Sequence, residues 1–137
     1  MSRSVLILED SAIQARIISK LFERAGFTPC HVPDHASAIR ELKTQSFALL
    51  VLDVYVGGSN TLEQLDIIRA LAPDTPIAIM TAGRRDDPLA ASAALNKARR
   101  AKVDFLLPKP FHYDDILQIC QDAACVPTAS KPSALLL

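Results

Sequence analysis

The chain has 137 residues, with 15 Lys or Arg against 15 Asp or Glu and a formal net charge of zero. Half of the residues are hydrophobic, enough to build one domain with a real core. This balance excludes a globally basic nucleic-acid binder and an acidic disordered chain, and a chain with no Trp and only seven Phe or Tyr residues is poorly equipped for base stacking.

Val5-Leu6-Ile7-Leu8 reads as a strand buried on both faces, ended by Glu9-Asp10. Ser11 can N-cap a first helix, with Ile13, Ile17, Ile18, Leu21, Phe22 and Ala25 on one face and Gly26 as its stop. Thr28 to Val32 is a weaker strand, broken by Pro29 and Pro33. Asp34 caps a second helix whose Ala36, Ile39 and Leu42 face inward. Phe47 to Leu52 is the strongest strand and runs into Asp53. Gly57-Gly58-Ser59-Asn60 is a loop by composition, and a third helix presents Leu62, Leu65, Ile68 and Leu71 before Pro73.

Ile77 to Met80 is a fourth strand ending at Thr81. A polar loop and an Ala-rich helix over Leu89 to Ala101 follow. Phe105-Leu106-Leu107 is a fifth strand, stopped by Pro108-Lys109-Pro110, and His112 to Cys125 is a last amphipathic helix. Asp114-Asp115 falls in its first turn, where negative charge suits the helix dipole. The domain therefore spans 1-125, and the aperiodic 126-137 segment reads as a flexible tail.

Cys30, Cys120 and Cys125 have neither disulfide nor zinc spacing and read as buried free thiols. The four-residue apolar run near the N-terminus is too short for a signal-peptide core, and no run approaches a membrane span, so the reading is cytoplasmic. His31, His35 and His112 are scattered, without metal spacing.

Strands alternating with helices predict an α/β fold with a parallel, doubly wound sheet. Ligands of such sheets gather at the carboxyl ends of the strands. Glu9-Asp10, Asp53, Thr81 and Lys109 each end a different strand, so the fold brings them to one edge. Packed carboxylates repel and call for a cation, and hard oxygen donors suit Mg²⁺. A carboxylate can also attack phosphorus to form an acyl phosphate, with an amine and a hydroxyl stabilising the charge on the equatorial oxygens. Asp53 is the best-placed nucleophile, with Asp10 and Glu9 for the metal and Lys109 and Thr81 for the phosphoryl group.

The pieces V-L-I-L-E-D-S, L-L-V-L-D, I-A-I-M-T-A and F-L-L-P-K-P-F, in this order and at these strand ends, make the chain resemble the response-regulator receiver domain over about residues 4 to 125. The likeness is to the single-domain, chemotaxis-regulator (CheY-like) type. It implies a five-stranded parallel (βα)5 flavodoxin-like fold of strand order 2-1-3-4-5. It also implies phosphotransfer from a histidine kinase or histidine phosphotransfer protein to Asp53. Mg²⁺ would be held by Asp10, Asp53 and the backbone carbonyl of Tyr55, with Glu9 acting through water, and the Lys109-Pro110 bond would be cis.

The chain departs from the family in four places. The positions four and eight after the phosphoacceptor, usually Pro and Gly, are Gly57 and Thr61, which implies a looser loop or harmless variation. The switch aromatic's position is Leu106, with Phe105 one earlier and on the opposite face by strand alternation. A usual Gly is Lys102, where a left-handed helix stop would be strained. Finally, the Thr81 to Lys109 stretch is long. Its 84–102 segment has six basic residues (Arg84, Arg85, Lys97, Arg99, Arg100, Lys102) against Asp86 and Asp87, a net of +4.

The leading reading is a stand-alone response regulator of two-component phosphorelay signalling. It is no enzyme beyond assisting its own phosphotransfer and dephosphorylation, and it acts on a downstream protein through the face of the fourth helix, fifth strand and fifth helix. The alternative is an adaptor that binds cyclic di-GMP or another anion through Arg84, Arg85, Arg99 and Arg100, since arginine forks suit phosphates. A third reading, a haloacid-dehalogenase-type phosphatase, would place a D-x-D nucleophile after the first strand, where this chain has Glu9-Asp10-Ser11.

Overall fold

The computed structural model describes residues 3–81 and 103–125. In chain order these form β1 (Ser4–Leu8), α1 (Ala12–Arg24), β2 (Thr28–Val32), α2 (His35–Thr44), β3 (Leu49–Asp53), β4 (Tyr55–Val56), β5 (Ser59–Asn60), a 3₁₀ turn (Thr61–Gln64), α3 (Leu65–Leu71), β6 (Ile77–Thr81), β7 (Phe105–Pro108) and α4 (Tyr113–Cys125). The main sheet is parallel, in the order β2-β1-β3-β6-β7. With β4 and β5 set aside as a separate antiparallel hairpin, this is the expected 2-1-3-4-5 order.

Continuous apolar runs put β1, β3 and β6 at the centre, because only residues buried on both faces suit strands covered by helices on both sides. Leu6 and Leu8 pack with Leu42, Leu65 and Ile68 on the face covered by α2 and α3. Val5 and Ile7 pack with Ile18, Phe22, Ile116 and Ile119 on the face covered by α1 and α4. Full burial of each such side chain stabilises the fold by about 1.5–3 kcal/mol. Leu106 joins the first cluster and Phe105 the second, so the two lie on opposite faces as alternation requires.

The structure corrects the predicted helix faces. In α1 the buried residues are Ala15, Ile18 and Phe22, whereas Ile13 and Ile17 are 76% and 57% exposed. At about 100° per residue, Ile13 and Ile17 lie opposite Ala15 and Phe22, so the apolar residues of this helix form two stripes rather than one. Ser11 caps it, accepting from Gln14 N at 3.3 Å. In α2 the inward residues are Ala38 and Leu42, while Ala36 is exposed. Asp34 caps that helix by accepting from Ser37 N at 2.7 Å.

Residues 57–60, expected as loop, turn a hairpin instead. Tyr55 pairs with Asn60 and Val56 with Ser59. Gly57 and Gly58 take φ of 59° and 81°, the two left-handed positions of a two-residue hairpin turn. At the start of α4, His112 N donates to Asp115 Oδ2 at 2.8 Å, which gives Asp115 the capping role expected of the acidic pair. Cys30 and Cys120 are free and half-buried, and burial raises the pKa of both thiols. The predicted fourth helix, Lys102, the arginines at 84, 85, 99 and 100, and the 126-137 tail lie outside the described residues.

Candidate functional site

Parallel register brings the strand ends level. Leu8 pairs with Leu52, Asp53 with Met80, and Thr81 with Pro108. Glu9 and Asp10 follow β1, Asp53 closes β3, Thr81 closes β6, and Lys109 follows β7. Lys109 N donates to Thr81 O at 2.9 Å, which carries the last strand past its end and turns it toward the edge. The Lys109-Pro110 bond is cis.

At this edge one carboxylate oxygen from each of Glu9, Asp10 and Asp53 lies within 4.8 Å of the others. Lys109 Nζ sits among them, 2.6 Å from Glu9 Oε1 and 2.9 Å from Asp53 Oδ2, and also donates to Gln14 Oε1 at 3.0 Å. Glu9 is buried, and its second oxygen accepts from Ser11 N at 3.1 Å. Burial raises the pKa of Asp53. The Lys109 ammonium opposes that shift and the neighbouring Glu9 adds to it. Burial by itself would lower the pKa of Lys109, but its bonds to Glu9 and Asp53 outweigh burial and raise it. Three carboxylates against one ammonium leave two negative charges among these four groups. The donor set is all hard oxygen, which fits a divalent cation such as Mg²⁺.

The backbone around the carboxylates is held by residues that were not among the predicted site residues. Gly57 N donates to Asp10 Oδ2 at 3.2 Å, so the β4–β5 turn lies against the acidic cluster. His31 Nε2 lies 2.7 Å from Glu9 O; a carbonyl only accepts, so this nitrogen carries the proton. Thr61, fully buried, donates its hydroxyl to the backbone carbonyl of Asp53, and His35 Nε2 is 2.8 Å from the same hydroxyl oxygen. These links span 22, 8 and 26 residues of sequence, beyond any periodic pattern. The Gly-Gly pair between two strand-forming dipeptides was the one local signal for the hairpin.

Asp53 also lies on the floor of a groove of about 570 Å³, walled by Ile17, Ile18, Leu21, Tyr55, Pro110 and Phe111. Tyr55 is 60% exposed on its rim. Ile17 of the outward stripe of α1 thus borders the groove that holds Asp53.

Comparison with known proteins agrees with this fold. The family model of the response regulator receiver domain matches residues 5–121. The response regulator receiver protein CpdR of Brucella abortus (strain 2308) is 29% identical over 116 residues, covering 84% of this chain and 91% of its own length. The phosphate regulon transcriptional regulatory protein PhoB of Klebsiella pneumoniae is 29% identical over 90 residues, covering 64% of this chain. The match spans 39% of PhoB, so the chain corresponds to less than half of that longer relative. Among solved structures, the receiver domain of the sensor histidine kinase PA1611 from Pseudomonas aeruginosa PAO1 superposes with a TM-score of 0.78 at 20% identity. That alignment covers 92% of this chain and all of the other, which holds a magnesium ion in its active-site cleft. No helix among the described residues is long and apolar enough to cross a membrane. Receiver domains are signalling domains that meet histidine kinases or phosphotransfer proteins and downstream targets, and by its sequence match and its fold this chain belongs to the response regulator receiver domain family.

Proposed function

We propose that the chain is a cytoplasmic receiver that takes a phosphoryl group onto Asp53 and signals through protein contact. The observation that carries this reading is the convergence of three carboxylates and one ammonium on the floor of an open groove. Asp10, Asp53 and the Tyr55 carbonyl would hold Mg²⁺, with Glu9 acting through water. The ion supplies charge neutralisation for the phosphoryl oxygens.

The chain's own residues then have distinct tasks. A carboxylate oxygen of Asp53 attacks phosphorus, and an O–P bond forms as the P–N bond of a phosphohistidine breaks. The leaving imidazole keeps the electron pair and takes up a proton. Lys109, now paired with Asp53 at 2.9 Å, redirects its ammonium N–H to a phosphoryl oxygen. Thr81 donates its hydroxyl to another. The apolar groove walls and the exposed Ile13 and Ile17 give a donor helix a place to dock beside Asp53. Output runs through the face to which β7 and α4 contribute, where Leu106 stands at the switch position and Phe105 beside it.

Incubation with acetyl phosphate and Mg²⁺ tests the reading. The wild type gains one phosphoryl group by mass and Asp53→Asn gains none. A wild type that stays unmodified, with acetyl phosphate and with phosphohistidine donors alike, overturns it.

A further inference from the structure

The peptide group between Asp53 and Val54 is held at both ends. Its N–H donates to Met80 O at 3.0 Å, and its C=O accepts from the Thr61 hydroxyl. The next carbonyl, of Val54, accepts from Thr61 N at 2.7 Å. One buried residue therefore grips two consecutive carbonyls just after Asp53. A hydroxyl has a single proton, and Thr61 gives it to a carbonyl that cannot donate. His35 Nε2 must then donate to Thr61 Oγ1, at 2.8 Å. This nitrogen carries a proton in the Nε2–H neutral tautomer and in the charged ring alike, so the bond survives protonation. Asp34, the residue before His35, anchors the start of α2 as its cap. The chain of bonds runs from the start of α2 through Thr61 to the backbone of Asp53.

We propose that Thr61 and His35 are positioning residues for Asp53. They fix the plane of its following peptide and so the aim of its carboxylate and the placement of the Tyr55 carbonyl two residues on. This role rests on the phosphoacceptor reading for its purpose. A merely space-filling Thr61 would be served equally well by valine, which has the same shape and no hydroxyl.

The test uses the full chain with Thr61→Val, Thr61→Ser, His35→Leu and His35→Gln. Three quantities are read: amide hydrogen exchange at Thr61 by NMR, the Mg²⁺ dissociation constant from amide shifts, and the initial rate of phosphorylation by acetyl phosphate. Loss of one buried hydrogen bond predicts changes of about tenfold in all three for Thr61→Val. Thr61→Ser stays within about twofold of wild type. His35→Leu shifts them by about threefold and His35→Gln, which can still donate, by less. Thr61→Val matching wild type in exchange and Mg²⁺ affinity overturns the clamp, as does Thr61→Ser failing to restore them. If Thr61→Val does not fold, the His35 pair decides by the same readouts. A wild type that takes no phosphoryl group defeats the phosphoacceptor reading instead, while exchange still decides whether the clamp exists.

Discussion

The two edges of the sheet solve opposite electrostatic problems. At the amino edge, Asp104 Oδ2 accepts from Ile77 N at 2.8 Å and lies 3.6 Å from Arg69 Nη2, while Arg69 Nη1 donates to Thr75 O at 3.0 Å. One carboxylate meets one guanidinium, and both spend their bonds on closing strand and helix ends. Arg3 covers the Phe27 ring at 4.6 Å, a cation over an aromatic face. At the carboxyl edge, three carboxylates share one ammonium, and Asp53 is held above its ordinary pKa by burial. A fold gains nothing from such an excess. The balanced edge serves stability, and under the proposed function the unbalanced edge would serve a cation and a phosphoryl group.

This contrast breaks down if substitutions at the two edges behave alike. The largest stability effect is expected from Lys109→Met, which leaves Glu9 and Asp53 facing each other without their shared cation. It should cost about 3 kcal/mol in urea unfolding, less if Asp53 takes up a proton, and it should abolish phosphorylation. Asp104→Ala leaves Ile77 N without its carboxylate acceptor and removes the Arg69 ion pair, and should cost about 1–3 kcal/mol, yet leave the phosphorylation rate of the folded protein unchanged. Asp53→Asn should do the reverse. It removes a carboxylate that burial penalises, so the melting temperature should hold or rise while phosphorylation is lost. A loss of stability in Asp53→Asn equal to that of Asp104→Ala would erase the distinction.

Much of the carboxyl edge is legible in the sequence because strands buried on both faces are continuous apolar runs. Val5 to Leu8, Leu49 to Leu52 and Ile77 to Met80 announce themselves, and the polar residue ending each falls at the same edge in a parallel sheet. The phase of α1 was not legible. Its apolar residues outnumber one stripe, and only packing separates Ile18 and Phe22, which are buried against the sheet, from Ile13 and Ile17, which are exposed. Thr61 looked like a missing glycine in a loosened loop, yet the hairpin before it is tied to Asp10 through Gly57 and to Asp53 through Thr61 itself. His31 and His35 looked idle, because each acts on a carbonyl or hydroxyl brought near only by the fold.

The smallest effects sharpen the same comparison. Ser11→Ala removes the cap of the helix that carries Gln14 to Lys109 and should cost about 1 kcal/mol by thermal melting. Burial lowers the pKa of His35, with the Asp34 carboxylate opposing it. Folding therefore favours the neutral ring. The stability this gives is fully present above the unfolded value of 6.5 and is lost as pH falls through the lower folded value. His35→Gln should flatten this part of the stability profile just below pH 6.5; an unchanged slope would count against the buried, bonded ring.

The most direct measurement of the division between the edges is peptide mapping of the chain after acetyl phosphate and Mg²⁺ treatment, on wild type, Asp53→Asn and Asp104→Ala side by side. The account predicts a single phosphoryl group on Asp53 in wild type and Asp104→Ala and none in Asp53→Asn. A phosphoryl group on another residue, or one that persists in Asp53→Asn, would contradict it.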